Sequence, residues 1–391
     1  MKSKFGLFFC IAILFLSSCC FEMDKGDGEI TVPSEKNLTY IKVGVFDRNG
    51  DSPFCIIDAV EALKIDSLIL PEVIGASDIM SDKLKEYDLI LFPGGSGKSE
   101  TNSLGVLGMK RIQNYVRKEG KAVLGICAGS YILSNTEGYP SLNLSGFKAI
   151  DIEHDHRGNG LVKFSVTDIG KSFFPELDTF SIAYCNYYEG PVLEPIQDST
   201  ISSMDLGTML SDVHLIEGTP ANMTNNKPFI TASNAGLGKV VTFVGHPEST
   251  PGMRWMIPRM VRWATRNVMV SYSKNVVSPE KNTHEILFDR KLRAKNYDLF
   301  NSLFGSEEEK IHAIKEATEL RCWSAKKWFN GMLRDSSPEV RITASHALLN
   351  LERTDAIPDF ESAINIEKNL EVRKVLVEDL VSLKALLSCN K

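Results

Sequence analysis

Four short runs near the start of the chain, residues 41–46, 68–70, 88–92 and 122–126, are almost wholly apolar. A strand that is apolar on both sides has no face to give to water. Such runs belong in a sheet covered on both faces, as in parallel β-structure joined by crossover helices. The gaps between them read as helices: residues 55–63 and 104–116 repeat apolar side chains at three- and four-residue spacing, and Ser77-Asp78 supplies an N-cap for a shorter one. Residues 161–166, 180–184, 228–232 and 240–244 read as further strands, mixed or at the edge, and a helix over 253–268 closes the unit. The expectation for residues 39–270 is a three-layer α/β domain with a mostly parallel, flavodoxin-like sheet.

The N-terminus differs in kind. Lys2 and Lys4 precede an apolar run over 5–16, shorter than the roughly 20 residues a membrane-spanning helix needs. Residues 1–18 read as a secretory signal that ends in Leu16-Ser17-Ser18, and with Cys19 they resemble a bacterial lipobox. Cys19 would carry the lipid and residues 19–38, polar and glycine-containing, would be a tether. Cys20 rather than an aspartate follows the lipidated position, which favours the outer membrane of the cell envelope over the inner one.

After residue 270 the strand signals stop. Residues 271–284, polar and containing Pro279, read as a linker, and 285–391 read as short helices. Ser337-Pro338-Glu339-Val340-Arg341 and Asn369-Leu370-Glu371-Val372-Arg373 are an internal echo that resembles HEAT repeats, with a plain helical bundle as the alternative. Either form offers a surface for a protein partner. A net charge of −6 and the absence of any Lys/Arg-rich run argue against nucleic acid.

Three local patterns carry chemistry. Gly125-Ile126-Cys127-Ala128-Gly129 stands where a buried strand must turn sharply into a helix, so the flanking glycines let strand and helix approach while the central thiol is pushed out above the sheet. The sulfur would also face the unpaired amides of a helix N-terminus, which favour a thiolate. Gly245-His246-Pro247-Glu248 follows an apolar strand, and there His246 serves as a base oriented by Glu248. Phe92-Pro93-Gly94-Gly95-Ser96-Gly97 follows another strand and offers backbone amides to an oxyanion.

Taken together over residues 40–268, these patterns resemble the class I glutamine amidotransferases, and most closely the branch found as the N-terminal domain of biotin-protein ligases. Gly125 to Tyr131, Arg157-Gly158-Asn159-Gly160, Tyr187-Tyr188-Glu189-Gly190-Pro191 and His246-Pro247-Glu248 carry that resemblance. It implies a Cys127, His246, Glu248 triad, an oxyanion region at Gly94, Gly95 and Ala128, and a pocket for a small molecule or peptide bordered by Tyr131, Tyr187, Tyr188 and Glu189. Tyr131 stands where true glutaminases carry a glutamine that helps hold the substrate, and no nucleotide loop follows the linker, so neither glutaminase nor biotin-ligase activity is implied. Two readings stay open: a cysteine hydrolase acting on an amide outside the cytoplasm, and a binding module without turnover.

No cofactor is expected. No disulfide is expected either, because Cys20, Cys55, Cys185, Cys322 and Cys389 are scattered. His154-Asp155-His156 is read as a polar turn rather than a metal site.

Overall fold

The computed structural model describes residues 39–387 apart from Ser199 and Ser324. Cys19, the signal and tether around it, and Cys389 lie outside the described residues. Strands β1 (Ile41–Phe46), β2 (Ile69–Ile74), β3 (Leu89–Phe92) and β4 (Ala122–Ile126) are joined by helices α1 (Pro53–Leu63), α2 (Ala76–Met80) and α3 (Gly97–Arg117), the last broken at Gly105. The N-cap of α2 is Gly75 rather than Ser77, because the Asp78 carboxylate reaches back to accept the Gly75 N–H at 2.8 Å.

The turn after β4 leads into α4 (Ala128–Leu133). Beyond it come β5 (Phe147–Ala149), β6 (Asn159–Val166), α5 (Asp168–Phe173), β7 (Ala183–Tyr188), β8 (Leu193–Pro195), β9 (Ile201–Met209), β10 (Lys227–Ala235), β11 (Gly238–Phe243) and α6 (Met256–Ala264). The main sheet runs β12-β6-β9-β10-β11-β4-β3-β1-β2 with β7 also on β6, where β12 is Ile286–Leu287. The half that carries β2, β1, β3, β4 and β11 is parallel, as both-faced burial of its residues requires, and the other half is an antiparallel extension. β3 and β4 are buried at every position.

Three elements differ from the sequence expectation. β9, with Ser202, Ser203 and Asp205, lacks an apolar run, yet β10 and β6 supply its partners. β7 starts at Ala183 and runs on through Tyr188, so the tyrosines lie in the strand and not after it. β12 adds Ile286 and Leu287 to the edge of β6, inside the stretch expected to be helical.

The rest of the chain is helical: α7 (Arg290–Ser302), α8 (Glu307–Glu319), α9 (Lys326–Met332), α10 (Pro338–Asn350), α11 (Ile357–Ile366) and α12 (Leu370–Ala385). Val340 and Val372, the echoed positions, are both buried. Arg341 pairs with Glu367, whereas Arg373 is exposed. No described helix is long and apolar enough to cross a membrane.

Residues from Thr39 onward cluster as one compact unit. Tyr272, in the stretch read as a linker, is buried and donates its hydroxyl to Asp66 at 3.1 Å. Asp58 of α1 is fully buried and takes hydrogen bonds from Lys326 of α9 (2.6 Å) and from Arg353. Burial alone would raise its carboxyl; the charges of Arg353 and Lys326 outweigh that and hold it low. Arg254 adds bonds to the Glu352 carbonyl (2.7 Å) and the Thr354 hydroxyl (2.9 Å). The helical part is therefore bound to the sheet domain through buried charge, beside the segment that carries His246.

Candidate active site

Cys127 is the residue between β4 and α4, with φ 52° and ψ −105°. Left-handed backbone is costly for a residue with a Cβ, by about 1 kcal/mol or more, and here it is held by its surroundings. The Cys127 N–H donates to the Phe243 carbonyl at 2.8 Å, and the Ser130 hydroxyl donates to the same oxygen at 2.8 Å. A Cβ on Gly125 would lie 2.4 Å from the Gly129 oxygen, and one on Gly129 would lie 2.1 Å from the Phe92 oxygen. Both glycines are thus required by the close approach of strand and helix. α4 itself has only six residues, so its dipole is weaker than the sequence reading assumed.

His246 follows β11 and is tied to the end of β7, its N–H donating to the Asn186 carbonyl at 2.6 Å. Its Nδ1 is 2.7 Å from Glu248 Oε1, and both side chains are buried. Burial works against the imidazolium, but Glu248 and then Cys127 outweigh it and push His246 up to about 10. Nε2 is buried without an aligned hydrogen bond, and Cys127 is the next group acting on the ring after Glu248. The thiol instead donates to the Tyr188 carbonyl at 3.2 Å, and Cys127 is only 6% exposed. The three side chains gather at one point; the thiol is turned toward a carbonyl and covered.

The glycine loop is set by Asn49, whose Nδ2 donates to the Gly94 carbonyl at 2.7 Å and whose carbonyl accepts the Ser96 N–H at 2.8 Å. A Cβ on Gly94 would stand 2.6 Å from His246 Cε1, so the imidazole occupies space that only glycine leaves open. Gly95, at φ 132°, would place a Cβ 2.3 Å from the Asn49 oxygen. The N–H groups of Gly94, Gly95 and Ala128 carry no hydrogen bond to the described residues, as donors to an oxyanion require.

The aromatic positions divide. Tyr187, Tyr188 and Glu189 border one cavity as expected and Tyr131 does not. Tyr131 and Tyr187 also share a buried polar network, in which the Tyr131 hydroxyl donates to Asp151 at 2.5 Å, Arg157 bonds Asp151 and the Tyr187 hydroxyl (2.6 Å), and Tyr187 donates to the Gly190 carbonyl at 2.9 Å. Their hydroxyls are spent on holding segment 187–190 in place. Tyr188 is half exposed, and Glu189, at φ 52°, pairs with His156 at 3.0 Å, so these two do face the outside.

Three further residues adjoin the site; Cys55, which opens the helix after the first strand, is a pocket candidate by its position, whereas Glu100 and Trp323 were missed in the sequence. Glu100, on the first turn of α3, is fully buried with neither carboxylate oxygen bonded, and burial followed by the charge of Cys127 pushes it well above the carboxylate range. Its place three residues into the helix after the glycine loop was the available signal. The Cys55 sulfur lies beside Gly94, and burial, then Glu248 and Cys127, raise it well above a usual thiol. Trp323, in the turn before α9, meets the His246 ring edge-to-face at 4.4 Å between centroids. Nothing local in the sequence marks it.

Residues 42–143 match the family model described as biotin-protein ligase, N terminal. That biotin-protein ligase match spans β1 through the residues after α4 and so includes the glycine loop and the elbow, while His246 and Glu248 fall outside it. No curated protein matches the sequence. Among solved structures, a ThuA-like protein from Parabacteroides merdae is similar at 12% identity over 60% of this chain and 94% of its own, with a TM-score of 0.43. The glutaminase domain of the Trypanosoma brucei protein CTPS, solved with bound acivicin, is similar at 12% identity over 59% of this chain and 96% of its own, TM-score 0.40. A glutamine amidotransferase from Methylobacillus flagellatus is similar at 14% identity over 55% and 73%, TM-score 0.34.

Proposed function

We propose that the protein is a cysteine hydrolase that cleaves an amide by acyl transfer, exported and held in the cell envelope, at the outer membrane, by lipid on Cys19. The observation that supports the chemistry is the left-handed Cys127 elbow beside a buried His246–Glu248 pair at 2.7 Å. The Cys127 sulfur adds to the substrate's carbonyl carbon, and the oxygen takes the negative charge against the N–H groups of Gly94, Gly95 and Ala128. The thiol, once released from the Tyr188 carbonyl, passes its proton to His246 as the sulfur adds; collapse then expels the amine, which takes that proton from His246, and leaves a thioester. Water then gives a proton to His246, attacks the thioester, and releases the acid while the thiol is restored. Glu248 makes each imidazolium stage favourable. The helical region, read as HEAT-like, would hold a protein partner on its outer face.

A second reading, a binding module, is favoured by the thiol's bond to the Tyr188 carbonyl and its 6% exposure. Exposure of the full chain to a library of amides, esters and thioesters, with intact-mass detection, separates the two. The hydrolase reading expects a product burst and an acyl adduct on the Cys127 peptide, both lost in Cys127→Ala. Turnover and adduct absent from every library member would leave the binding module.

A further inference from the structure

Between the β7 end of the sheet and the helical part lies a cavity of about 300 Å³. Its walls are the site's own residues on one side, Tyr188 and Glu189, and the helical region's Arg293, Arg321 and Trp323 on the other. The cavity adjoins the reacting groups: the Tyr188 carbonyl accepts the Cys127 thiol, and Trp323 stands on the His246 ring.

The cations of this cavity have no direct carboxylate partner. Neither Arg293 nor Arg321 forms an ion pair among the described residues. Arg293 donates to the Phe288 carbonyl (2.8 Å) and the Asn159 side chain (3.4 Å). Arg321 donates to Asn282, Thr318 and Lys281 oxygens. Each guanidinium carries five N–H groups, so both keep donors without an acceptor. Burial, the chief influence on Arg321, lowers its affinity for a proton and outweighs the charges of Glu352 and Glu319, neither of which bonds it directly. The Trp323 Nε1–H is buried with no acceptor among the described residues. Glu189, the one carboxylate on the cavity wall, is engaged by His156. Two guanidinium groups with spare N–H donors and the Trp323 N–H therefore line a cavity that has no free carboxylate on its wall.

We infer that this cavity holds a carboxylate group of the substrate, so that the amide cleaved belongs to a small molecule or peptide end with a free carboxylate. This rests on the hydrolase reading for the bond cleaved, while the carboxylate site stands on the cavity alone. A planar monoanion suits guanidinium forks, whereas a phosphate dianion would bring more negative charge beside Glu189 and the carboxylates that already act on Arg321. The helical region thereby completes the substrate site, and the Tyr188 carbonyl must release the thiol before attack.

The test follows the indole N–H resonance of Trp323, one of four tryptophans, in the full chain bearing Cys127→Ala, so that binding is read without turnover. The probes are N-acetylglycylglycine, its C-terminal amide, and inorganic phosphate. The carboxylate probe is expected to shift that resonance saturably and to bind about tenfold more tightly than the amide, the scale of a charge-assisted hydrogen bond. Arg293→Gln should remove most of the difference. Trp323→Phe, which keeps the ring and loses the N–H, should weaken the carboxylate probe alone, read by calorimetry. Equal binding of acid and amide, or tighter binding of phosphate than of the carboxylate probe, overturns the inference. Selective carboxylate binding without turnover by the wild-type chain would uphold the cavity site and reject the hydrolase reading. Turnover with no preference for the carboxylate would do the reverse.

Discussion

Trp323 packs edge-to-face on His246, with ring centroids 4.4 Å apart and planes at 73°, although 77 residues separate them in sequence. The indole covers the imidazole proposed to serve Cys127. An aromatic contact of this kind is worth about 1 kcal/mol, so Trp323→Ala should raise the alkylation rate of Cys127 at neutral pH by roughly fivefold. Mass mapping after dilute iodoacetamide reads it. An unchanged rate would mean that access is limited by the Tyr188 carbonyl instead.

Glu248 is the first group that raises His246 against burial, so Glu248→Gln should let burial prevail and leave the imidazole neutral at pH 7. In the wild type the folded value, about 10, lies above the ordinary 6.5. The stability from this pair is therefore fully present below 6.5 and is lost as pH rises from there through about 10. Nitrogen-15 NMR of the ring should show two bound protons at pH 7.5 in the wild type and one in the variant, and the variant's stability should lose that alkaline decline.

For Glu100 the sign is the same. A carboxyl raised above its ordinary 4.5 binds more protons when folded, so stability falls as pH climbs from 4.5 toward the folded value. Glu100→Gln keeps the shape and removes the titration. The variant should match the wild type at pH 4 and melt higher at pH 8, as judged by calorimetry; equal melting at both would refute the buried acid.

Removing Asp58 strands buried Lys326 and leaves buried Arg353 with Asp355 alone. Loss of one partner of such a cluster costs about 3–5 kcal/mol, so Asp58→Ala should lower the urea midpoint accordingly and loosen the turn that carries Trp323. Hydrogen exchange over residues 321–332 would report the loosening. Wild-type protection there would show that other contacts hold the helical part.

Cys19→Ala should release the protein from membranes or leave its precursor uncleaved, as the lipobox-like Leu-Ser-Ser before it suggests. Palmitate labelling and fractionation give the answer. Continued labelling of the variant would rule Cys19 out as the anchor.

Local pattern settled the strands from β1 to β4, β11, the elbow and the His246–Glu248 pair, because each depends on residues within a few positions of one another. An apolar run buried on both faces admits few other structures, and Gly-x-Cys-x-Gly after a strand admits a tight turn. Ser202, Ser203 and Asp205 hid β9, since a strand held by its neighbours needs no apolar signal of its own. The same limit applied at the site. Tyr131 and Tyr187 are the residue types that border pockets, and only the fold shows their hydroxyls spent on Asp151, Arg157 and Gly190. Asp58 meets Lys326 and Arg353 across 268 and 295 residues, and Trp323 meets His246 across a similar gulf in kind. Such contacts follow from how whole elements pack, where buried charge must find opposite charge and apolar surface must be covered. No local spacing encodes them, and so Cys127, His246, Glu248 and the Tyr187–Glu189 wall of the cavity could be picked out along the chain, while the indole cover and the wall of Arg293 and Arg321 could not.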